Sequence, residues 1–193
     1  MGIILASASP RRLEIFQKNN INPVVICSNV EEVLPIALTP TESVMYLSLI
    51  KALDIYSNNS ETKDIIVGAD TSVIVNDKIL GKPKDQSDAR EMITLIQGGK
   101  HSVCTGVTVI NPTTNTINCF FDETTVFVKN MTQIEIEKYI STDEPYDKAG
   151  GYAIQGIFSK YIDLYHGDYD NVVGFPYNKF INNLSNTNFL TTK

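Results

Sequence analysis

The stretch that most constrains the fold is Asp64-Ile-Ile-Val-Gly-Ala-Asp-Thr-Ser-Val-Ile-Val75, two β-branched runs around Gly68-Ala69-Asp70-Thr71. Valine and isoleucine at this density are stiff at χ1 and pack well on a pleated surface, so the segment reads as a buried strand. A glycine and an aspartate inside so strong a strand mark a bulge or a close approach of the backbone. They also place one carboxylate, Asp70, where another hydrophobe would be expected.

A second ordering feature is Leu5-Ala-Ser-Ala-Ser-Pro-Arg-Arg12. The apolar start, residues 1–5, predicts a strand, and residues 7–9 predict its turn into a helix. Pro10 suits a first helical position, which makes Ser9 the N-cap, and Leu13, Ile15 and Phe16 then face a core. The turn itself offers small residues, hydroxyls, backbone N–H groups and two guanidinium groups, Arg11 and Arg12. That is the chemistry of an anion site, most simply for phosphate, although the same tetrapeptide also suits a solvated loop.

Along the rest of the chain, residues 23–27 form another apolar run, and residues 28–35 form a loop with Glu31 and Glu32. A helix is expected over 39–57, with Leu47, Ile50, Leu53 and Ile55 apolar and Lys51 beside them. Asn76-Asp77 signals a tight turn leading through residues 78–80 to Gly81-Lys82-Pro83. Residues 87–96 read as a helix stopped at Gly98-Gly99. Residues 101–109 and 116–128 read as a long antiparallel pair joined through Asn111-Pro112. Thr132 and Glu135 form a capping box for a helix ending at Ile140. The segment from Glu144 to Gly156 is the richest in charged and glycine residues. A strand at 161–164, a final helix through Leu184 and a frayed tail over 186–193 complete the reading. The class is mixed α/β with a curved central sheet flanked by helices, in one domain over 1–185.

The 193 residues suffice for a substantial core, and 42% hydrophobic with 20% charged residues is ordinary for a globular protein. The formal net charge of −6 argues against a broad basic face for nucleic acid. No segment reaches the length of a membrane span and no secretory leader is evident, so a cytoplasmic protein without a membrane partner is expected. Cys27, Cys104 and Cys119 lack Cys-x-x-Cys spacing and read as reduced, buried thiols.

Glu32, Asp70 and Asp147 are acids at interruptions or loops, and Lys51 and Lys82 are cations placed to reach the same ligand. Hydrolysing a polyphosphate calls for cations on the non-bridging oxygens, a divalent metal and a base for the water. Mg²⁺ takes one or two carboxylates and completes its shell with water and phosphates. Gln155 can donate to and accept from a base edge. Gly150-Gly151 admits either a ligand approach or an ordinary tight turn. His101 at a strand start reads as a structural hydrogen-bonding residue before a general base, and Cys104 as core.

Ser7-Ala-Ser-Pro-Arg-Arg12, Glu32, Lys51-Ala52, Gly68-Ala-Asp-Thr71, Gly81-Lys-Pro83, residues 101–106, Asp147-Lys-Ala-Gly-Gly151 and Asn171-Val-Val-Gly-Phe-Pro176 occur in the order found in the Maf family of nucleoside triphosphate pyrophosphatases. The chain resembles that family from Leu5 nearly to Pro176. The resemblance implies a fold like that of inosine triphosphate pyrophosphatases, with two lobes around a deep cleft, often as a homodimer. It implies attack of water on the α-phosphorus of a nucleoside triphosphate with the help of Mg²⁺ or Mn²⁺. By the same resemblance, Asp70 accepts the proton or holds metal, or both, and Glu32 is a metal-side carboxylate. Ser7, Arg11, Arg12, Lys51 and Lys82 contact phosphate, while Arg11, Thr71 and Gln155 bear on base preference. Residues 147–156 look like the branch acting on dTTP and UTP. A nucleotide-binding regulator of septum formation and a house-cleaning enzyme for modified nucleotides are the other roles that the family brings with it.

Overall fold

The computed structural model describes residues 2–186. The elements run β1 (Ile3–Ala6), α1 (Pro10–Lys18), β2 (Val24–Val25), α2 (Pro40–Asn58), β3 (Ile65–Val75), β4 (Lys78–Leu80), α3 (Gln86–Ile96), β5 (Lys100–Asn111), β6 (Thr116–Val128) and α4 (Gln133–Ile140). Three short 3₁₀ turns, Glu144–Asp147, Ala149–Gly151 and Ile157–Tyr161, then precede β7 (Ile162–His166), α5 (Tyr169–Val173) and α6 (Tyr177–Asn186). The strands form one mixed seven-stranded sheet in the order β2-β1-β3-β5-β6-β7, with β4 on β3. Contacts divide the chain into two compact units. Unit 1 takes the residues up to Asp70, Thr105–Asp122 and the chain from Gly174 onward; unit 2 takes Thr71–Cys104 and Glu123–Val173. No described helix is long and apolar enough to cross a membrane.

In unit 1, β1 runs parallel to both neighbours, with Ile4 opposite Ile66 and Ala6 opposite Gly68. Ile4, Ala6 and Ile66 join Ala52, Ile55 and Ile110 in one buried cluster. Helix α2 starts at a complete capping box, Thr39 with Glu42. Its buried positions are Ser43, Val44, Ser48, Ala52 and Ile55; of the expected apolar positions Ile55 is buried, while Leu47, Ile50 and Leu53 are only half-buried. The reason lies on the strands. A Cβ at Gly68 would sit 2.3 Å from the Ser48 carbonyl oxygen, and one at Gly106 would sit 2.3 Å from that of Val44. The helix backbone lies directly on two glycines, so small side chains are what fit. The interruption at Gly68 is thus a close approach within an unbroken strand. Around α1, Phe16 packs against Phe175 at 4.7 Å and Phe180 at 5.6 Å between ring centroids. Ser9 is the N-cap residue of α1, but its side chain makes no capping bond.

Unit 2 is built on a larger cluster that includes Val73, Ile93, Ile96, Val126, Ile136, Tyr139, Tyr152 and Phe158. Asn76 and Asp77, both at positive φ, form the tight turn between β3 and antiparallel β4. α4 carries the expected capping box of Thr132 and Glu135. α3 is capped by Asp85, whose carboxylate accepts from the Asp88 N–H at 2.9 Å. The five-residue helix α5 is an element the sequence reading does not assign. His101 is 3% exposed, and its Nε2 lies 2.6 Å from the Tyr152 hydroxyl. Burial lowers the His101 pKa to about 4, so a neutral, structural imidazole is what unit 2 holds.

Of the three cysteines only Cys104 is buried; Cys27 is exposed because it follows the two-residue, solvent-facing edge strand β2. The expectation of three buried thiols fails there.

Two outcomes test this account of the fold. An alanine at position 68 has to push α2 off β3, so Gly68→Ala costs on the order of 2–3 kcal/mol in urea unfolding, whereas Gly81→Ala, where a Cβ meets nothing within 4 Å, stays near the wild type. The unfolded His101 imidazole takes its proton near pH 6.5 and the folded one near 4, so between those values the unfolded state holds more protons. Stability therefore falls as pH drops through that window, by at most about 3 kcal/mol from this group. Urea unfolding across pH 4–7 shows a shallower slope in His101→Gln; equal slopes would contradict the assignment.

Candidate active site

The acidic centre of unit 1 follows from strand periodicity. Residues 66, 68 and 70 share one face of β3, since side chains alternate along a strand. Gly68 lies directly against Ser48 and Ala52 of α2, so the Asp70 carboxylate is delivered to the same helix. Lys51, between those two contact residues in sequence, places its Nζ 2.7 Å from Asp70 Oδ1 and 3.0 Å from Glu32 Oε1. The Lys51 and Asp70 side chains are each 13% exposed and Glu32 is 53% exposed. The Lys51–Asp70 pair is therefore the screened, firmly held one, and Glu32 joins it from the solvent side on the irregular 26–39 segment.

The expected anion turn lies beside it. Ser7 is buried, and its hydroxyl oxygen accepts from the Ser9 N–H at 3.2 Å and from Arg12 Nη1 at 3.0 Å. Arg12 Nε donates to the Gly174 carbonyl at 2.9 Å. Arg12 and Phe16 stand one turn apart on α1, so the ring contact of Phe16 with Phe175 brings Gly174 to the guanidinium. Burial lowers the Arg12 pKa from its ordinary value, and Arg11 adds to this; Asp70 and Glu32 act in the opposite sense. The group stays cationic, as an arginine does in a protein. Arg11, on the same first turn, is half-buried.

The remaining residues singled out in the sequence belong to unit 2. Thr71 is half-buried and follows Asp70 on β3. Lys82 is exposed just after β4. The Gly150 N–H donates to the Gly81 carbonyl at 2.9 Å, which joins the 147–151 segment to the residue before Lys82. Gly150 has φ +69°, and a Cβ there would meet Val73 at 2.8 Å. Its glycine is demanded by a tight turn over the core, the plainer of the two sequence readings. Asp147 pairs with Lys148, and Gln155 is exposed on the turn that follows.

Unit 1 thus brings Ser7, Arg11, Arg12, Glu32, Lys51 and Asp70 into one neighbourhood, as the ion pairs and the charges felt by Arg12 require. Asp147, grouped with Glu32 and Asp70 from sequence, lies in the other unit. Sequence reasoning missed the Gly174 carbonyl, because a backbone acceptor has no side-chain signature. Among the described residues no cluster of three or more Asp, Glu, His or Cys could hold a metal ion. Two carboxylates converging on one ammonium nevertheless fit a Mg²⁺-type site, which uses one or two carboxylates and fills its shell with water and phosphate.

Comparison with known proteins places these features in a family. The model of the Maf-like protein family matches residues 2–187. A relative from Clostridioides difficile (strain 630) named dTTP/UTP pyrophosphatase is 40% identical over 176 residues, 91% of this chain and 90% of the relative. One of the same name from Thermoanaerobacter sp. (strain X514) is 44% identical over 179 residues, 93% of each chain. Among solved structures, the Staphylococcus aureus Ham1 protein shares 12% identity at a TM-score of 0.47, covering 66% of this chain and 72% of that one. A match over nearly the whole length means that the chain belongs to the Maf-like protein family.

Proposed function

We propose that this protein hydrolyses dTTP and UTP to the nucleoside monophosphate and pyrophosphate. Water attacks the α-phosphorus, the bond from that phosphorus to the α–β bridging oxygen breaks, and pyrophosphate leaves. The observation that carries the reading is Lys51 held between Asp70 and Glu32 beside the Ser7–Arg12 turn. A pure phosphate binder needs the cations but not two acids among them. The name borne by relatives at 40–44% identity supports the same activity and the same pair of nucleotides.

Each residue's part follows from its chemistry. Arg11, Arg12, Lys51 and Lys82 neutralise phosphate oxygens, with the Ser7 hydroxyl both holding Arg12 and offering a hydrogen bond. Asp70, pinned at one oxygen by Lys51, orients the water and takes its proton. Glu32 and Asp70 would hold a Mg²⁺ or Mn²⁺ ion, which supplies further charge neutralisation on the polyphosphate. Gln155 and Thr71, together with Arg11, set base preference; a neutral amide suits the donor and acceptor edge of uracil or thymine. The net charge of −6 and the family resemblance support a cytoplasmic homodimer acting on free nucleotides, with no nucleic acid or membrane as partner.

Asp70→Asn, assayed with Mn²⁺ and dTTP, lowers kcat by about 10²–10⁴-fold while nucleotide binding by calorimetry persists. Binding without turnover in the wild-type protein under any metal would instead favour a nucleotide-sensing regulator of cell division. Gln155→Glu lowers kcat/KM for dTTP and UTP by about tenfold or more, with Tm unchanged, in a panel that includes CTP and 7-methyl-GTP. Unaltered selectivity would remove Gln155 from base recognition.

A further inference from the structure

The turn that carries Gln155 is tied down on both sides by two side chains that have no part in the reaction described above, Tyr139 and Glu144. Glu144 opens the first 3₁₀ turn, and its carboxylate reaches the start of the third, Ile157–Tyr161. One oxygen accepts from the Ile157 N–H at 2.5 Å and the other from the Phe158 N–H at 3.0 Å. The first N–H groups of a helical turn have no partner within it, and Gly156 at the N-cap has no side chain to serve them. Glu144 therefore supplies, from a distant point in sequence, the cap that residue 156 cannot.

The other end is held from α4. The Tyr139 hydroxyl lies 3.1 Å from Glu144 Oε1 and 3.0 Å from the Gly151 carbonyl. Gly151 and residues 157–158 are thus anchored by two touching side chains, and Tyr152 is pinned by His101. Ala153 and Ile154 are buried, and Gln155 is the exposed residue on the turn that these anchors enclose. The packing leaves no slack, since a Cβ at Gly156 would sit 2.2 Å from Glu144 Oε2. The glycine after Gln155 is there because a carboxylate occupies the space that any side chain would need.

We propose that Glu144 is a positioning residue for base selection: by capping residues 157–158 it fixes the backbone of Gln155, and the preference for dTTP and UTP depends on that cap. The proposal rests on Gln155 reading the base. Loss of the cap leaves Gln155 in place chemically but lets its turn sample other conformations, so the amide meets the base with the wrong geometry in most of them. The effect falls on recognition of the base and spares the phosphate chemistry in unit 1.

The test uses the full-length protein with Mn²⁺ and measures kcat and KM for dTTP, UTP and CTP. The variants are Glu144→Gln, Gln155→Ala, their combination and Gly156→Ala. A glutamine keeps the size but has one acceptor oxygen for two N–H groups and turns an NH₂ toward the other. Expected is a five- to twentyfold rise in KM for dTTP and UTP in Glu144→Gln with kcat for them unchanged and kcat/KM for CTP unchanged, so that the dTTP/CTP ratio of kcat/KM drops about five- to twentyfold. In the Gln155→Ala background the same substitution changes that ratio less than twofold. Gly156→Ala, which displaces the carboxylate from the other side, reproduces the Glu144→Gln ratio.

A lower Tm with an unchanged ratio in both Glu144→Gln and Gly156→Ala would overturn the proposal, since Glu144 would then serve stability alone. So would equal effects of Glu144→Gln with and without Gln155. A ratio unchanged in Gln155→Ala would remove base reading by Gln155 and this proposal with it. A changed ratio there beside an unaltered one in Glu144→Gln would overturn the proposal only.

Discussion

The contact on which the rest of unit 1 depends is the seat of α2 on the bare backbone of β3. At Gly68 the helix lies where a methyl group would meet the Ser48 carbonyl at 2.3 Å. That closeness fixes the height of the helix above the sheet. Position 70 is two residues further on the same strand face, so its carboxylate arrives at α2 within reach of Lys51. A single missing Cβ thus sets the geometry of the ion pair. It also explains why the stretch of α2 that lies on the glycines buries Ser43, Val44, Ser48 and Ala52 when larger residues stand nearby in sequence. A larger residue there would lift the helix and part the pair.

Much of the fold is legible in the sequence because it is written in local chemistry. The Thr132 capping box, the helix start at Thr39, the Asn76-Asp77 turn and the β-branched run through Val75 each dictate structure within a few residues. Where the reading failed, the deciding fact lay elsewhere in the chain. The most buried face of α2 is chosen by glycines on β3 and β5, and no periodicity within the helix could reveal it. Cys27 is exposed because β2 is a two-residue edge, a consequence of sheet order. At Gly150 the sequence admitted two readings, and the choice of the tight turn rests on Val73, far away in sequence.

The candidate site divides along the same line. Asp70 and Lys51 could be suspected from residue type, since a carboxylate inside an apolar strand and a lysine on a helix each raise a question about partners. That they are each other's partner needs the fold. Arg12 is oriented by a serine on its own turn and by a carbonyl from Gly174, and only the serine was visible beforehand. Glu144 shows the limit most clearly. It stood in a segment already judged rich, yet its partners lie at residues 157 and 158, beyond any short motif.

The arrangement of Lys51 has a consequence for how the protein comes to be folded. Two acids held near each other repel, and they stay apart unless a cation lies between them. Here the chain carries its own counter-charge, an ammonium 2.7 Å from one acid and 3.0 Å from the other. The two acids are therefore drawn together by a cation that the chain itself supplies.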